Sequence, residues 1–262
     1  MTLDRFIKIS YKEDKVKIKK LEEILKELGI ECARIIEEKV DLQFSALKNL
    51  HKNLRDNEAF IKLVTANALV SYQLTATGEE WWWEFSEYFS RNPPEGSIKD
   101  AYAEFLPNSR TNRRLIQGKL KRLERVEPFL QKLTLRDFEH YYRDMTEFRN
   151  ELADVLGSKK TAKTIVFSVK MFGYACRIAF RYFIPYPTEI EIPDDVRINA
   201  YTKRFTNEPP IFFWNRIAKE TNIPPLHIDS ILWPILGKHE AVRERLKKHC
   251  PQAELVFMLK KI

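Results

Sequence analysis

Apolar residues recur at helical spacing along nearly the whole of this 262-residue chain, and no alternating strand pattern persists. A half-buried strand needs strict alternation, whereas recurrence every three to four residues lays an apolar stripe along a helix. The fold class this predicts is all-α. Leu21, Ile24, Leu25 and Leu28 line one face of a charged helix over 13–29, which Gly29 ends. A second helix is expected over about 31–54, and Asp56 is placed to cap a third that runs to Leu74. Gly78 breaks the chain before Glu79-Glu80-Trp81-Trp82-Trp83, a helix start with acids in its first turn. Ser109 is expected to cap a basic helix reaching Lys132, and Thr134 to begin a long helix ending near Gly157. An apolar helix over 161–183 follows, then three shorter ones near 209–221, 225–237 and 239–249. Residues 40–42 and 190–192 are candidates for short extended pieces, and Asn92-Pro93-Pro94-Glu95-Gly96 is the clearest loop.

A chain of this length holds one large domain or two modest ones. Its formal net charge of +8 leaves room for a polyanionic partner, although a lysine-rich surface without such a partner has the same composition. No run of about eighteen apolar residues is present, so a membrane span is not expected. The opening MTLDRFIKISYKEDK lacks the apolar core of a secretory signal. Cys32, Cys176 and Cys250 are odd in number and far apart, which indicates no disulfide framework. They also lack the close spacing that holds zinc or an iron–sulfur cluster; His249-Cys250 near His239 is the one hint of a ligand group. The expectation is a reduced, cytoplasmic protein with no metal and no cofactor.

Lys163 and Asp195, thirty-two residues apart, carry the most chemistry. Lys163 ends the short basic stretch Leu156-Gly157-Ser158-Lys159-Lys160-Thr161-Ala162-Lys163, a hairpin that turns into a helix. Asp195 lies in Ile192-Pro193-Asp194-Asp195-Val196-Arg197, at an expected helix start. A protonated lysine is a poor nucleophile, and bringing one from about 10.4 to 7–8 costs about 3–4 kcal/mol of desolvation and charge interaction. The position at the head of an apolar helix, beside Ile165, Val166 and Phe167 and close to Lys159 and Lys160, disfavours a further cation. Taken alone, the same two residues read more readily as a phosphate-contacting lysine and a helix-capping aspartate, since both are common.

A hairpin lysine followed by a Pro-x-Asp-Val segment resembles the helix-hairpin-helix DNA glycosylases. SYQLTATGEEWWWEF at 71–85, SKKTAKTIVFSVKMFGYACR at 158–177, IPDDVRI at 192–198 and HIDSILWPILG at 227–237 together are similar to the archaeal 8-oxoguanine DNA glycosylase family, AGOG. The likeness extends from about residue 40 to 240. It implies a single bilobal glycosylase over 1–262, with two α-helical lobes and the active site in the cleft between them. One lobe would be about 1–55 plus 190–262, and the other about 56–189 with the hairpin at 156–163. It also implies a bifunctional enzyme that flips out 8-oxoguanine, cleaves its N-glycosidic bond through a lysine Schiff base and nicks the strand by β-elimination. Lys163 carries over as nucleophile and Asp195 as catalytic carboxylate. The hairpin departs from the common Leu-Pro-Gly-x-Gly-x-Lys pattern, having only Gly157 and one residue more, so Lys159 and Lys160 are expected to contact phosphates directly.

A glycosylase must unstack its target, and aromatic stacking returns about 1–3 kcal/mol per base. Phe167 lies four residues after Lys163 on the same helical face, within reach of the base. The resemblance places Trp233 on the other face of the base, and Asp229, one turn earlier, as acceptor for the guanine N1–H and exocyclic amine. It also makes Gln43 and Trp81 pocket residues that offer an amide and an indole N–H. Gln73 is a rival glutamine expected to support a helix end, and Trp82 and Trp83 are expected to pack the core. Lys170, two turns after Lys163, is placed to pair with Asp195, touch the base or hold a phosphate, and is a second candidate nucleophile. Arg110, Arg113, Arg114, Lys119, Lys121 and Arg122 form a basic stripe, either a DNA contact or a solvated face. The expected partner is double-stranded DNA containing 8-oxoguanine, with single-stranded DNA a second substrate form. No membrane is involved, and one active site engaging one lesion points to a monomer in the cytoplasm, associated with the nucleoid. The competing readings are a glycosylase for a different lesion and a non-catalytic helix-hairpin-helix DNA-binding module.

Overall fold

Short polar side chains set most of the helix starts. Asp14, Asp41, Asp56, Ser97, Asp144 and Asp195 each accept a backbone N–H from the first turn that follows, and Thr77 and Thr134 form reciprocal capping boxes with Glu80 and Asp137. The computed structural model describes residues 12–237 and 240–262. The opening stretch over 1–11 and His239, which entered the signal-peptide and ligand-group readings, lie outside the described residues.

The helices are α1 (Lys15–Ile35), which runs into a π-helical turn (Ile36–Val40), α2 (Leu42–Leu54), α3 (Asn57–Val70), α4 (Gly78–Arg91) and α5 (Ile98–Asn108). There follow α6 (Ile116–Lys132), α7 (Leu135–Arg143), α8 (Met145–Leu156) and α9 (Lys163–Phe180). The last five are α10 (Val196–Thr202), α11 (Pro210–Thr221), α12 (Pro225–Leu236), α13 (Glu240–His249) and α14 (Ala253–Leu259). Among the described residues there is no strand, only an isolated bridge between Glu13 and Thr206. The chain is all-α.

Several boundaries differ from expectation for local reasons. Gly29 breaks helical geometry at φ 65°, but the chain re-enters a helix at once, and the next break falls at Asp41. Ser109 does not cap the basic helix. It follows α5, donates to Glu84 Oε2 at 2.8 Å and accepts from the Asn112 N–H at 2.9 Å, so it ties a loop to α4. The long helix expected after Thr134 is two, because Asp144 leaves helical geometry and caps α8. Helices α5 and α14 have no counterpart in the sequence reading.

Two apolar cores form. One gathers the buried side chains of α2 to α9, from Phe44 to Ile190, and takes in Leu226. The other joins α1 and the π turn, from Ile18 to Val40, to residues between Ile192 and Ile262. Helix α2, grouped on sequence with residues 1–41, instead buries Phe44, Ala46, Leu47 and Leu50 in the first core. The turn at Asp41 redirects the chain between the cores. No helix of the described residues is long and apolar enough to cross a membrane.

Candidate active site

The hairpin is built by α8 ending on Gly157, whose φ of 58° is the left-handed conformation that glycine adopts without steric cost. Ser158 N–H returns to Ala153 O at 2.9 Å, and Ala162 N–H to Lys159 O at 2.9 Å. Arg125 of α6 donates to Leu156 O at 3.1 Å, bracing the hairpin from behind. Lys163 is then the first residue of α9, and no side chain caps that helix start.

Asp195 caps α10, its Oδ1 accepting the N–H groups of Arg197 and Ile198 at 2.9 and 3.0 Å. Its Oδ2 takes the Arg197 guanidinium at 2.8 Å and faces Lys163 Nζ at 3.7 Å. Burial works to raise this carboxyl, but the Ile198 N–H, Arg197 and Lys163 outweigh it and hold it below the usual carboxylate range. Asp195 therefore remains ionised beside the amine. The lysine side chain is 57% exposed and the aspartate 11%, so the amine is open to solvent while its partner is fixed. Ile165 and Val166 point into the core and do not shield Lys163; only Phe167 of that apolar trio borders the site.

Lys163 and Asp195 open onto a cavity of about 220 Å³. Its walls bring together Gln43, Phe167, Lys170, Asp229 and Trp233 of the residues singled out on sequence. They also include Asp41, Ser71, Leu74, Gly78, Trp82, Pro193 and Arg197. The volume is below the ~300 Å³ at which sites for drug-sized molecules begin, and it suits a single base. Gly78 has no side chain where the Gln43 amide lies; a Cβ there would stand 3.2 Å from Gln43 Nε2.

Trp81 is not a wall of the cavity. It is fully buried, stacks on Phe105 of α5 at 5.4 Å and donates its indole N–H to Ser71 Oγ at 2.8 Å. Trp82 takes the wall position instead, edge-on to Phe167 at 6.3 Å. Trp83 is half exposed and lies outside both roles. Gln73 supports no helix end: it is exposed at φ 50° in the loop after α3 and borders a neighbouring groove with Tyr72 and Arg122.

Lys170 is buried and donates to Asp229 Oδ2 at 2.6 Å. Burial pulls its ammonium down, yet Asp229, Glu37 and Asp41 together raise it above the ordinary lysine value. A lysine held as a cation has no lone pair to attack with, so the geometry disfavours Lys170 as nucleophile. It pairs with Asp229, not Asp195. Behind it, Glu37 is fully buried between Arg177 (2.9 Å) and His227 Nδ1 (2.9 Å). Burial alone would raise Glu37, but His227 and Arg177 bring it down to about 2.

Asp41 gave no signal on sequence beyond a helix break. Its Oδ1 accepts the Gln43 N–H at 2.8 Å and its Oδ2 the Tyr174 hydroxyl at 3.1 Å. Burial pushes its carboxyl up to about 6, with Lys170 opposing. The unfolded value is about 3.9, so between roughly pH 4 and 6 the folded state holds the extra proton and stability falls as pH rises. Above that window the charge costs about 2–3 kcal/mol. Asp41→Asn keeps an acceptor for the Gln43 N–H and removes the charge. It is expected to be more stable than wild type by about 1–3 kcal/mol at pH 8, the gain vanishing below about pH 4. Urea melts at both pH values measure this. A less stable variant at pH 8 would show that the attraction to Lys170 outweighs burial.

Lys159 and Lys160 are exposed on the hairpin and enter no ion pair among the described residues. The basic stripe divides. Lys119 is buried over the Tyr72 ring and bonds Asn112 Oδ1, and burial pushes its ammonium down to about 8. Arg122 lies over the same ring and reaches the hairpin at Ser158 Oγ, 3.5 Å. Arg110, Arg113, Arg114 and Lys121 are exposed. Among the described residues no group of three or more His, Cys, Asp and Glu could hold a metal ion.

The family model described as AGOG: N-glycosylase/DNA lyase matches residues 22–259. An N-glycosylase/DNA lyase of Thermococcus kodakarensis is 65% identical over 260 residues, 99% of each chain. One of Methanococcus maripaludis is 51% identical over 85% of this chain and 89% of its own. Among solved structures, the 8-oxoguanosine complex of Pa-AGOG, an 8-oxoguanine DNA glycosylase from Pyrobaculum aerophilum, aligns with a TM-score of 0.77 at 26% identity. That alignment covers 95% of this chain and 97% of the other.

Proposed function

The chain belongs to the AGOG family of N-glycosylase/DNA lyases, and on that footing we propose that it excises 8-oxoguanine from DNA and nicks the resulting abasic strand. The observation that carries the reading is one cavity, of single-base size, with an amine and an ionised carboxylate 3.7 Å apart at its mouth. Attack by the Lys163 amine on C1′ expels the base with its bonding electrons. Asp195 stabilises the positive charge that develops on the sugar as the base leaves. Breaking of the C1′–O4′ bond, with a proton of the former amine passing to O4′, opens the sugar and gives the Schiff base. Loss of a C2′ proton then drives β-elimination, which breaks the 3′ C–O bond and releases the phosphate.

In this reading the two cores are the two lobes, and the flipped base enters between them. Phe167 and Trp233 offer its ring two apolar faces, which offsets part of the unstacking cost of a few kcal/mol. Asp229, whose Oδ1 accepts from no described residue, is free to take the guanine N1–H and amine. Trp82 replaces Trp81 as the indole in the wall. Gln43 is the amide placed to read the proton on N7, the group that 8-oxoguanine has and guanine lacks. Lys159, Lys160 and the uncapped start of α9 form an anion-binding edge for the backbone phosphates. The substrate is double-stranded DNA, with single strands a second form, and one pocket per chain suits a monomer. A substrate of this kind places the protein in the cytoplasm at the nucleoid.

Excision measured side by side on duplexes carrying 8-oxoguanine, an oxidised pyrimidine or an alkylated purine tests the reading. Release of 8-oxoguanine is expected to be fastest, and Gln43→Ala to narrow its lead over guanine by about 10–100-fold, the worth of one or two hydrogen bonds. Preferential release of another lesion would assign a different substrate. An undiminished lead in the variant would remove Gln43 from the reading of N7.

A further inference from the structure

Away from the pocket, two cysteines 218 residues apart meet in the second core. Cys32 Sγ of α1 lies 3.5 Å from Cys250 Sγ, which immediately follows α13. Both are buried, at 1% and 3% exposure, and a disulfide of about 2.05 Å needs the sulfurs to close by only about 1.5 Å. No third His, Cys, Asp or Glu of the described residues completes a ligand group with them, so the pair has the makings of a covalent bond and not of a closed zinc site. We propose that Cys32 and Cys250 are a disulfide-forming pair, oxidised by a small-molecule disulfide, that staples the first helix to the end of the chain.

The surroundings suit both the chemistry and a consequence for the site. The hydrogen bond between the two sulfurs holds the Cys250 thiol below the ordinary cysteine value, which favours Cys250 as the attacking sulfur. It displaces one thiolate from the small disulfide, forming a mixed disulfide. Cys32 then attacks Cys250 Sγ and expels the second thiolate. The two protons of the pair go to the two leaving thiolates, so two protein thiols are oxidised and one small disulfide is reduced to two thiols. Access is local, because α13 buries only Val242 and Leu246 of its own side chains and can open without the whole core. Arg245 of the same helix donates to Lys39 O at 2.7 Å and Val40 O at 3.1 Å, the residues just before Asp41. Closing the staple therefore also clamps the segment that leads into the Gln43 wall. Cys176 lies in the other core with its thiol pushed well up by burial, and serves as the unreactive reference.

The test incubates the folded full-length protein with oxidised glutathione, alkylates free thiols after unfolding, and maps the peptides without reduction. Before alkylation the expected product is two hydrogens lighter than the starting protein; after it, the product contains a Cys32–Cys250 peptide and carries one alkyl group, on Cys176. Its melting temperature is expected to exceed that of the reduced protein by about 5–10 °C, as a cross-link closing a long loop would give. In Cys32→Ser the expected product is a stable glutathione adduct on Cys250, with no such gain in melting temperature. Three alkylated cysteines in wild type, or a bridge involving Cys176, would overturn the proposal. If the serine variant does not fold, the wild-type peptide map decides alone.

Discussion

Replacing Lys163 with Gln is expected to abolish the covalent adduct that borohydride traps on a duplex containing one 8-oxoguanine, and to cut strand nicking by at least about 10³-fold. Glutamine matches much of the lysine in length but has no amine that can form an imine. The rest of the site should hold: Asp195 keeps its two backbone N–H bonds and its Arg197 partner whether or not the lysine is present. The lysine is the most exposed member of the pair and supports no core packing, so loss of the adduct is a loss of chemistry and not of fold. An adduct surviving in Lys163→Gln would move the nucleophile elsewhere. Lys170 is the other lysine of the cavity, and it would first have to leave Asp229, to which it donates at 2.6 Å. Neither adduct nor base release from wild type would leave a non-catalytic DNA-binding module as the better reading.

That Lys163 and Asp195 belong together was legible from the family resemblance and from the short, self-contained segments that carry them, and the fold brings them within 3.7 Å. A glycine, a lysine at the helix start and a Pro-x-Asp-Val turn specify local geometry whatever surrounds them. Phe167 followed from Lys163 by helical spacing, and Asp229 and Trp233 share a helix face. The tryptophan triplet shows where such reading stops. Adjacent helical residues point about 100° apart, so the choice between Trp81 and Trp82 depends on what packs outside. The ring that claims Trp81 is Phe105, on a helix the sequence reading did not contain. Asp41 was hidden for a related reason. A helix-capping aspartate is common on sequence, and only its burial, which Lys170 and the Tyr174 hydroxyl offset in part, makes its charge costly. The partner of Lys170 was not among the roles offered for it on sequence, because Asp229 lies 59 residues away and only the fold brings it beside the lysine.

Asp229→Asn should separate base recognition from strand cleavage more cleanly than any other change in the pocket. Three kinds of donor converge on this one side chain in the proposed complex: the Lys170 ammonium already there, and the N1–H and exocyclic amine of the base. A carboxylate has only acceptors and satisfies them all, whereas an amide turns two donor hydrogens toward one of these donors. One contact is mismatched whichever way the amide turns. Excision of 8-oxoguanine is expected to fall by about 10²–10³-fold, the worth of two hydrogen bonds to a charged group. Folding stability should fall by about 2–3 kcal/mol, less than the ~3–5 for a buried pair that loses one partner, because Asp41 and Glu37 remain near Lys170. Cleavage at a preformed abasic site requires no base in the pocket and should stay within a few-fold of wild type. Parallel measurement on an 8-oxoguanine duplex and an abasic duplex makes the distinction. If both activities fall together, Asp229 serves the Lys163–Asp195 pair or the fold; if neither falls, the base is read elsewhere in the cavity.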